Sequence, residues 1–208
     1  MMLSAAEPRR RGLVALFLDG EYAVSVDAEI FAGAGLKLGA ELTDEGLHEL
    51  IRRSDARRAK EKALSLLEHR AHSRGELVDK VSRITSRQAA EEAADRLAGL
   101  GLIDDESYAA DLAKELFSRR GYAASRVRME LMRRGIGREL AEQAAAEYEP
   151  DPADAVRQVV QKKYAHALGD EKGRRRVIAA LQRLGYRWED IKSALRGLED
   201  GENGDEGS

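Results

Sequence analysis

Cysteine is absent from this 208-residue chain. That excludes disulfides and thiol chemistry, and it accords with a reducing cytosol. Aromatic residues are scarce at 5% while charged residues reach 35%. Any folded unit can therefore bury only a thin core, and much of the surface must be solvated. No apolar run approaches the roughly 20 residues that span a bilayer. The stretch from Met1 to Arg11 is basic but lacks the apolar core and small-residue cleavage site of a signal peptide. A soluble cytoplasmic protein, with no membrane contact, is expected. Catalytic signatures are missing as well: there is no G-x-S-x-G and no kinase-type set. His69 and His72 lie three apart near a helix end, yet no third ligand stands at H-E-x-x-H spacing. The other histidines are His48 and His166. No enzyme, no metal and no cofactor is expected.

What the chain does contain is a unit that recurs three times after about residue 55. A long helix is followed by a short basic helix, a tight break and a third helix opening just after an arginine. Those third helices are predicted to begin near Arg87, Arg138 and Arg187, 51 and then 49 residues apart. A fixed period of this size marks stacked supersecondary units that build an extended surface. In the first unit Ala63, Leu66 and Leu67 lead, Ser73 with Glu76 reads as a capping box, and Ala90, Ala93, Ala94 and Leu97 line the third helix. Tyr108, Leu112, Leu116, Leu140, Ala144 and Tyr148 do the same for the second unit. Pro150 and Pro152 mark the joint to the third, whose stripe runs through Val156, Val160, Val177, Leu181, Trp188, Ile191, Leu195 and Leu198. Trp188 is expected to pack in that core. The break Gly135-Ile136-Gly137-Arg138 corresponds to Gly185-Tyr186-Arg187. The expected divisions are 1–54, 55–103, 104–149, 150–198 and an acidic, disordered tail at 199–208.

The N-terminal segment differs. Leu13–Leu18, Asp19-Gly20 and Glu21–Val26 read as a two-residue hairpin, because Asp-Gly supplies the positive φ of a type I′ turn. Its predicted register sets Phe17 opposite Tyr22, Ala15 opposite Val24 and Leu13 opposite Val26, with all six on one apolar face packed on a helix. The glycine-rich run at 33–39 misses the G-x-G-x-x-G spacing because position 38 is leucine, so a turn is expected. Thr43 then caps a helix whose first turn holds Asp44 and Glu45.

Charge comes in blocks despite a net charge of −3. Arg119, Arg120, Arg126, Arg128, Arg133, Arg134 and Arg138 oppose Glu130 alone. Lys172, Arg174, Arg175, Arg176, Arg183 and Arg187 form a second block without an acid. Between them, residues 139–154 carry only acids. Solvated faces making weak ion pairs would account for any one arginine. Recurrence of the block in two units instead suggests a stripe suited to a phosphate backbone or an acidic protein groove. Interleaved aromatics for base stacking are missing, so base readout is not expected.

Two stretches carry a family resemblance. Leu66-Leu67-Glu68-His69-Arg70-Ala71-His72-Ser73-Arg74-Gly75-Glu76-Leu77 is followed by Leu97-Ala98-Gly99-Leu100-Gly101-Leu102-Ile103-Asp104-Asp105-Glu106-Ser107-Tyr108-Ala109. This pairing resembles the RecX family. Glu130-Leu131, Arg134-Gly135-Ile136, Lys162-Lys163 and Leu184-Gly185-Tyr186 extend the resemblance over about 60–198. It implies a mainly α fold of three tandem three-helix repeats in an elongated curved body, here with the small N-terminal β-hairpin and helix. It also implies a non-enzymatic regulator, without cofactor, that binds the RecA–DNA filament in its groove. Such proteins usually inhibit RecA ATP hydrolysis, strand exchange and co-protease activity. Within the motifs Leu77, Leu102, Ile103 and Tyr108 look structural and Asp104 looks like a cap. Arg70, Arg74 and the basic second helices, with Lys162 and Lys163, are the contact candidates. The alternative is a DNA-binding protein whose paired helices act like a helix-turn-helix, with Arg126, Arg128, Arg133 and Arg134 on phosphates. A helical scaffold for an unrelated protein is a third reading. Nothing resembles a coiled-coil seam, and a monomer with at most weak non-specific DNA contact is expected.

Overall fold

The computed structural model describes residues 1–202, with side chains through 197. It divides into two compact units between Asp104 and Asp105.

The first unit opens with a three-stranded antiparallel sheet in the order β1 (Leu3–Arg9), β2 (Leu13–Leu18), β3 (Glu21–Asp27). The expected hairpin is therefore two strands of three. Strand β1 carries little β-propensity in Ala5, Ala6, Glu7 and Pro8, and pairing with β2 supplies what propensity does not. The expected hairpin register holds only beside the turn. Phe17 pairs with Tyr22, but a bulge then leaves Ala23 unpaired and sets Leu16 opposite Val24 and Val14 opposite Val26. One extra residue turns the following side chains to the other face. Leu16, Leu18 and Val26 thus meet Leu3 and Leu50 in the core. Phe17 and Tyr22 stack edge to face outside it, with ring centroids 5.9 Å apart.

A short helix α1 (Ala28–Gly33) is capped by Asp27, whose carboxylate accepts from the N–H groups of Glu29 and Ile30. The glycine-rich run that follows is a turn, closed by the Gly39 N–H donating to Leu3 at 2.8 Å. Thr43 caps α2 (Asp44–His69) through the Gly46 N–H at 3.0 Å. Helix α2 runs unbroken through residue 54, so one helix serves both the sheet and the first repeat. Buried Ser54 accepts from the Asp27 N–H at 2.8 Å and Arg57 pairs with Asp27 and Glu29, which holds the sheet on that helix. Helices α3 (Arg74–Val81) and α4 (Arg87–Gly99), capped by Ser73 and Ser86, complete a core of Ala59, Ala63, Leu77, Val81, Ala90, Ala94 and Leu97.

In the second unit, α5 (Asp105–Glu115) widens into a π-turn over Leu116–Arg120. Then come α6 (Ala124–Arg133), α7 (Arg138–Tyr148), α8 (Pro152–Lys163), α9 (Glu171–Arg183) and α10 (Trp188–Glu202). Two cores result: α5, α6 and α7 share one around Val127, Leu131 and Ile136, and α8, α9 and α10 share another around Val160, Leu181 and Ile191. The third helices open at Arg87, Arg138 and Trp188, as the period predicts. Helices α6 and α9 end alike: the Ile136 N–H reaches Leu131 O at 3.1 Å and the Tyr186 N–H reaches Leu181 O at 3.2 Å. Gly135 and Gly185 supply the left-handed residue in between.

Two apolar residues depart from expectation. Trp188 is 51% exposed. It is the first residue of α10, and a side chain there leans back past the helix end, away from the core that Ile191, Ala194 and Leu195 enter. Leu102 is 52% exposed because the glycine turn after α4 points Ile103 inward in its place. Helix α10 also continues beyond 198, since nothing through Asp200 demands non-helical backbone. The rest of the acidic tail, 203–208, and the side chain of Leu198 lie outside the described residues.

The second and third repeats meet through backbone. The Ala123 N–H donates to Leu184 O at 3.0 Å, and the Ser125 hydroxyl donates to Gly185 O at 2.8 Å. At Gly121 φ is +68°, and a Cβ would lie 2.6 Å from Val159 Cγ2. Gly121→Ala should therefore cost about 1–3 kcal/mol through overpacking and left-handed strain. Urea unfolding should show a lower midpoint, whereas Gly99→Ala, with open space around it, should not.

Candidate partner-binding surface

The contact candidates divide by what already holds them. In the first unit Arg70 grips the Glu76 carboxylate at 2.5 and 3.1 Å, and Arg74 pairs with Asp95 at 2.6 Å. Both stabilise the junction of α2, α3 and α4. Glu76 also receives Lys80 at 3.0 Å. Burial opposes its ionisation, but the hydrogen bonds from Arg70 and Lys80 win and hold its pKa at about 2. Buried His72 faces the same cluster, with Nδ1 3.0 Å from the Arg70 carbonyl and Nε2 3.0 Å from Lys80 Nζ. Burial, reinforced by the charges of Arg70 and Lys80, pushes its pKa down, against the carbonyl contact and Glu76. His69 turns elsewhere, to the Ser65 carbonyl. Among the described residues no group of three or more histidines or carboxylates is placed to hold a metal.

In the second unit the basic helix α6 is organised by one buried acid. Glu130, 9% exposed, pairs with Arg126 at 2.9 Å and Arg133 at 2.8 Å. Arg126 also lies over the Tyr122 ring, 5.6 Å from its centroid. Those pairs leave the outer face of α6 with exposed Met129 and Met132 beside its arginines. On α9, Arg175 pairs with Glu171. Lys163 donates to the Arg120 carbonyl at 3.0 Å across the repeat joint. Arg134 and Arg174 also have interactions of their own. Among the described residues Arg119, Arg120, Arg128, Lys162 and Arg176 make no side-chain ion pair, and Arg128 and Arg174 are half-buried.

Two cavities flank the joint and share Phe117, Pro150, Ala155 and Tyr186 as their common wall. One, of about 310 Å³, is rimmed by Arg128 and Arg187 together with Glu149, Glu189 and Asp190. The other, of about 390 Å³, collects Arg119, Lys162 and Lys163 from the sequence candidates and adds Lys114. Lys114 sits over the Tyr148 ring at 4.6 Å. Block counting passes over it because Asp111 and Glu115 flank it; its one signal is helical spacing to Phe117 on the same turn.

A chain of tandem three-helix domains behind a small sheet is the class this fold defines. The profile for the second three-helix domain of RecX matches residues 104–144, and that for the third matches 149–195. A regulatory protein RecX from Caldanaerobacter subterraneus is 31% identical, over 86% of this chain and 90% of its own. One from Clostridium tetani is 26% identical over 92% and 91%. The chain belongs to the RecX family of regulatory proteins. A crystal structure of regulatory protein RecX superposes with a TM-score of 0.60 at 21% identity, covering 94% of this chain and 98% of that one. RecX from Lactobacillus salivarius gives 0.58 at 21% identity, over 70% and 97%.

The Glu76–His72 cluster sets a pH dependence. A carboxylate whose pKa falls on folding adds stability above its ordinary 4.5, and that contribution is lost as pH falls toward 2. A histidine kept neutral by the fold adds stability above its ordinary 6.5, and this is lost as pH drops below that value. Resistance to chemical unfolding should thus fall in two stages on acidification. His72→Gln should remove the upper stage and keep the lower one.

Proposed function

We propose that this chain is a non-enzymatic, monomeric cytoplasmic regulator of the RecA recombinase. It binds the RecA–DNA filament along its groove and inhibits ATP hydrolysis, strand exchange and co-protease activity in recombinational repair and the SOS response. Membership of a family of regulatory proteins carries this reading, and the tandem helical units support it. A repetitive surface suits a repetitive partner. Among the described residues no helix is long and apolar enough to cross a membrane.

The mechanism is steric and electrostatic. Helices α6 and α9 present their arginines to the filament, and the body bridges neighbouring protomers and biases their arrangement. The exposed Met129 and Met132 beside those arginines favour a protein face over bare phosphates, since apolar surface gains by contact with protein and not with a sugar–phosphate backbone. Direct DNA binding through Arg126, Arg128, Arg133 and Arg134 is the second reading, favoured by the unpaired Arg128.

Titrating the protein into RecA filaments should depress DNA-dependent ATP hydrolysis and strand exchange. Unchanged rates at excess protein would end the proposal. Arg128→Glu with Arg176→Glu should weaken inhibition about tenfold or more, while Arg74→Ala should lower stability and leave inhibition by the folded protein intact. If direct DNA binding is the activity, bare duplex should bind tightly and lose affinity steeply with salt.

A further inference from the structure

The larger cavity at the joint of the second and third repeats has a floor and a rim of opposite character. Phe117, Tyr148, Val159 and Tyr186 line it with apolar surface, and Val159 and Tyr186 are buried. Its charged lining is Lys114, Arg119, Lys162 and Lys163, without one carboxylate. In a chain with more acids than bases this is a segregated site. The neighbouring cavity across the Phe117–Tyr186 wall mixes both signs. Among the described residues none of the four cations is ion-paired. Lys114 is placed by the Tyr148 ring and Lys163 by the Arg120 carbonyl, contacts that position a cation without neutralising it.

We infer that this groove is a docking site for an acidic peptide segment of a partner protein, with one apolar side chain seated on the floor and flanking carboxylates on the lysine–arginine rim. At about 390 Å³ the cavity lies at the small end of ligand pockets, the size of an anchor pocket in a protein interface. Charge complementarity selects the flanks, because an all-cationic rim rewards carboxylates and repels basic sequences. The floor selects protein over single-stranded nucleic acid. Stacking successive bases needs several open aromatic faces, but Lys114 lies over the Tyr148 ring and Tyr186 is buried in the wall, which leaves only half-buried Phe117 among the floor's rings. Val159 and Ala155 gain from a dehydrated aliphatic or aromatic side chain. The joint itself builds the site: Lys114, Phe117, Arg119 and Tyr148 come from the second repeat, Val159, Lys162, Lys163 and Tyr186 from the third. Neither repeat holds it alone. This inference does not rest on the RecA reading, and its test contains no RecA, so the two stand or fall separately.

The test uses the full chain and a fluorescein-labelled peptide, DEDLFDED, followed by fluorescence anisotropy. Binding is expected on the order of 10 μM. It should weaken about tenfold or more in the exposed double variant Arg119→Glu/Lys162→Glu, and as much when the peptide is changed to DEDSSDED. Arg128→Glu, in the neighbouring cavity, should leave it unchanged, and circular dichroism should confirm that every variant is folded. Absence of binding would overturn the assignment. So would equal binding of the serine peptide, which would mean charge alone. An oligothymidylate of equal length that binds more tightly and loses binding in the same double variant would hand the groove to nucleic acid. Peptide binding that appears only after removal of residues 203–208 would hand it to the acidic end of this chain.

Discussion

Close approach of the first and third helix in the first two repeats is the constraint on which much of the rest depends. Alanine makes it possible: Ala59 and Ala63 face Ala90 and Ala94, and Ala109 and Ala113 face Ala141, Ala144 and Ala145. Interaxial distance follows the side chains at the contact, so alanine rows draw these helices together. With so little volume between them, the second helix must close the core with its larger residues. Leu77 and Val81 do this in the first repeat and Val127 and Leu131 in the second, whereas in the third Val177 and Leu181 join valine, isoleucine and leucine from both other helices. That leaves the other face of each short second helix outward, where α6 and α9 carry their arginines. A thin core and a charged surface are two results of one packing choice.

Capping made much of this legible beforehand. Thr43, Ser73 and the glycine breaks act within a few residues, and the periodic stripes need no knowledge of the rest of the chain. What escaped was non-local or directional. Strand β1 is a strand because β2 lies beside it. The bulge at Ala23 is decided by which face must meet Leu3 and Leu50, and no turn residue announces it. Trp188 has stripe spacing but sits where a helix begins, so spacing alone misplaces it.

The surface was legible as charge and illegible as availability. Counting arginines finds Arg70 and Arg74, but their partners Glu76 and Asp95 arrive from six and 21 residues away. Conversely, Arg119, Lys162 and Lys163 come from separate stretches, and only the joint gathers them around Phe117 and Tyr148. Local composition cannot register an assembly that spans two repeats.

The hydrogen bonds at that joint run from the Ala123 amide to the Leu184 carbonyl, from the Ser125 hydroxyl to the Gly185 carbonyl and from the Lys163 ammonium to the Arg120 carbonyl, so every acceptor is main chain. A main-chain carbonyl is the same for every amino acid, and a main-chain N–H for every one but proline. The joint therefore asks little of the side chains around it beyond a hydroxyl at 125 and an ammonium at 163, so long as positions 121 and 185 stay bare. Descendants of this sequence are free to rewrite the groove at Lys114, Arg119 and Lys162, which among the described residues make no hydrogen bond across the joint, while the frame that presents it keeps its geometry. A repeat pair joined in this way separates the evolution of specificity from the upkeep of the fold.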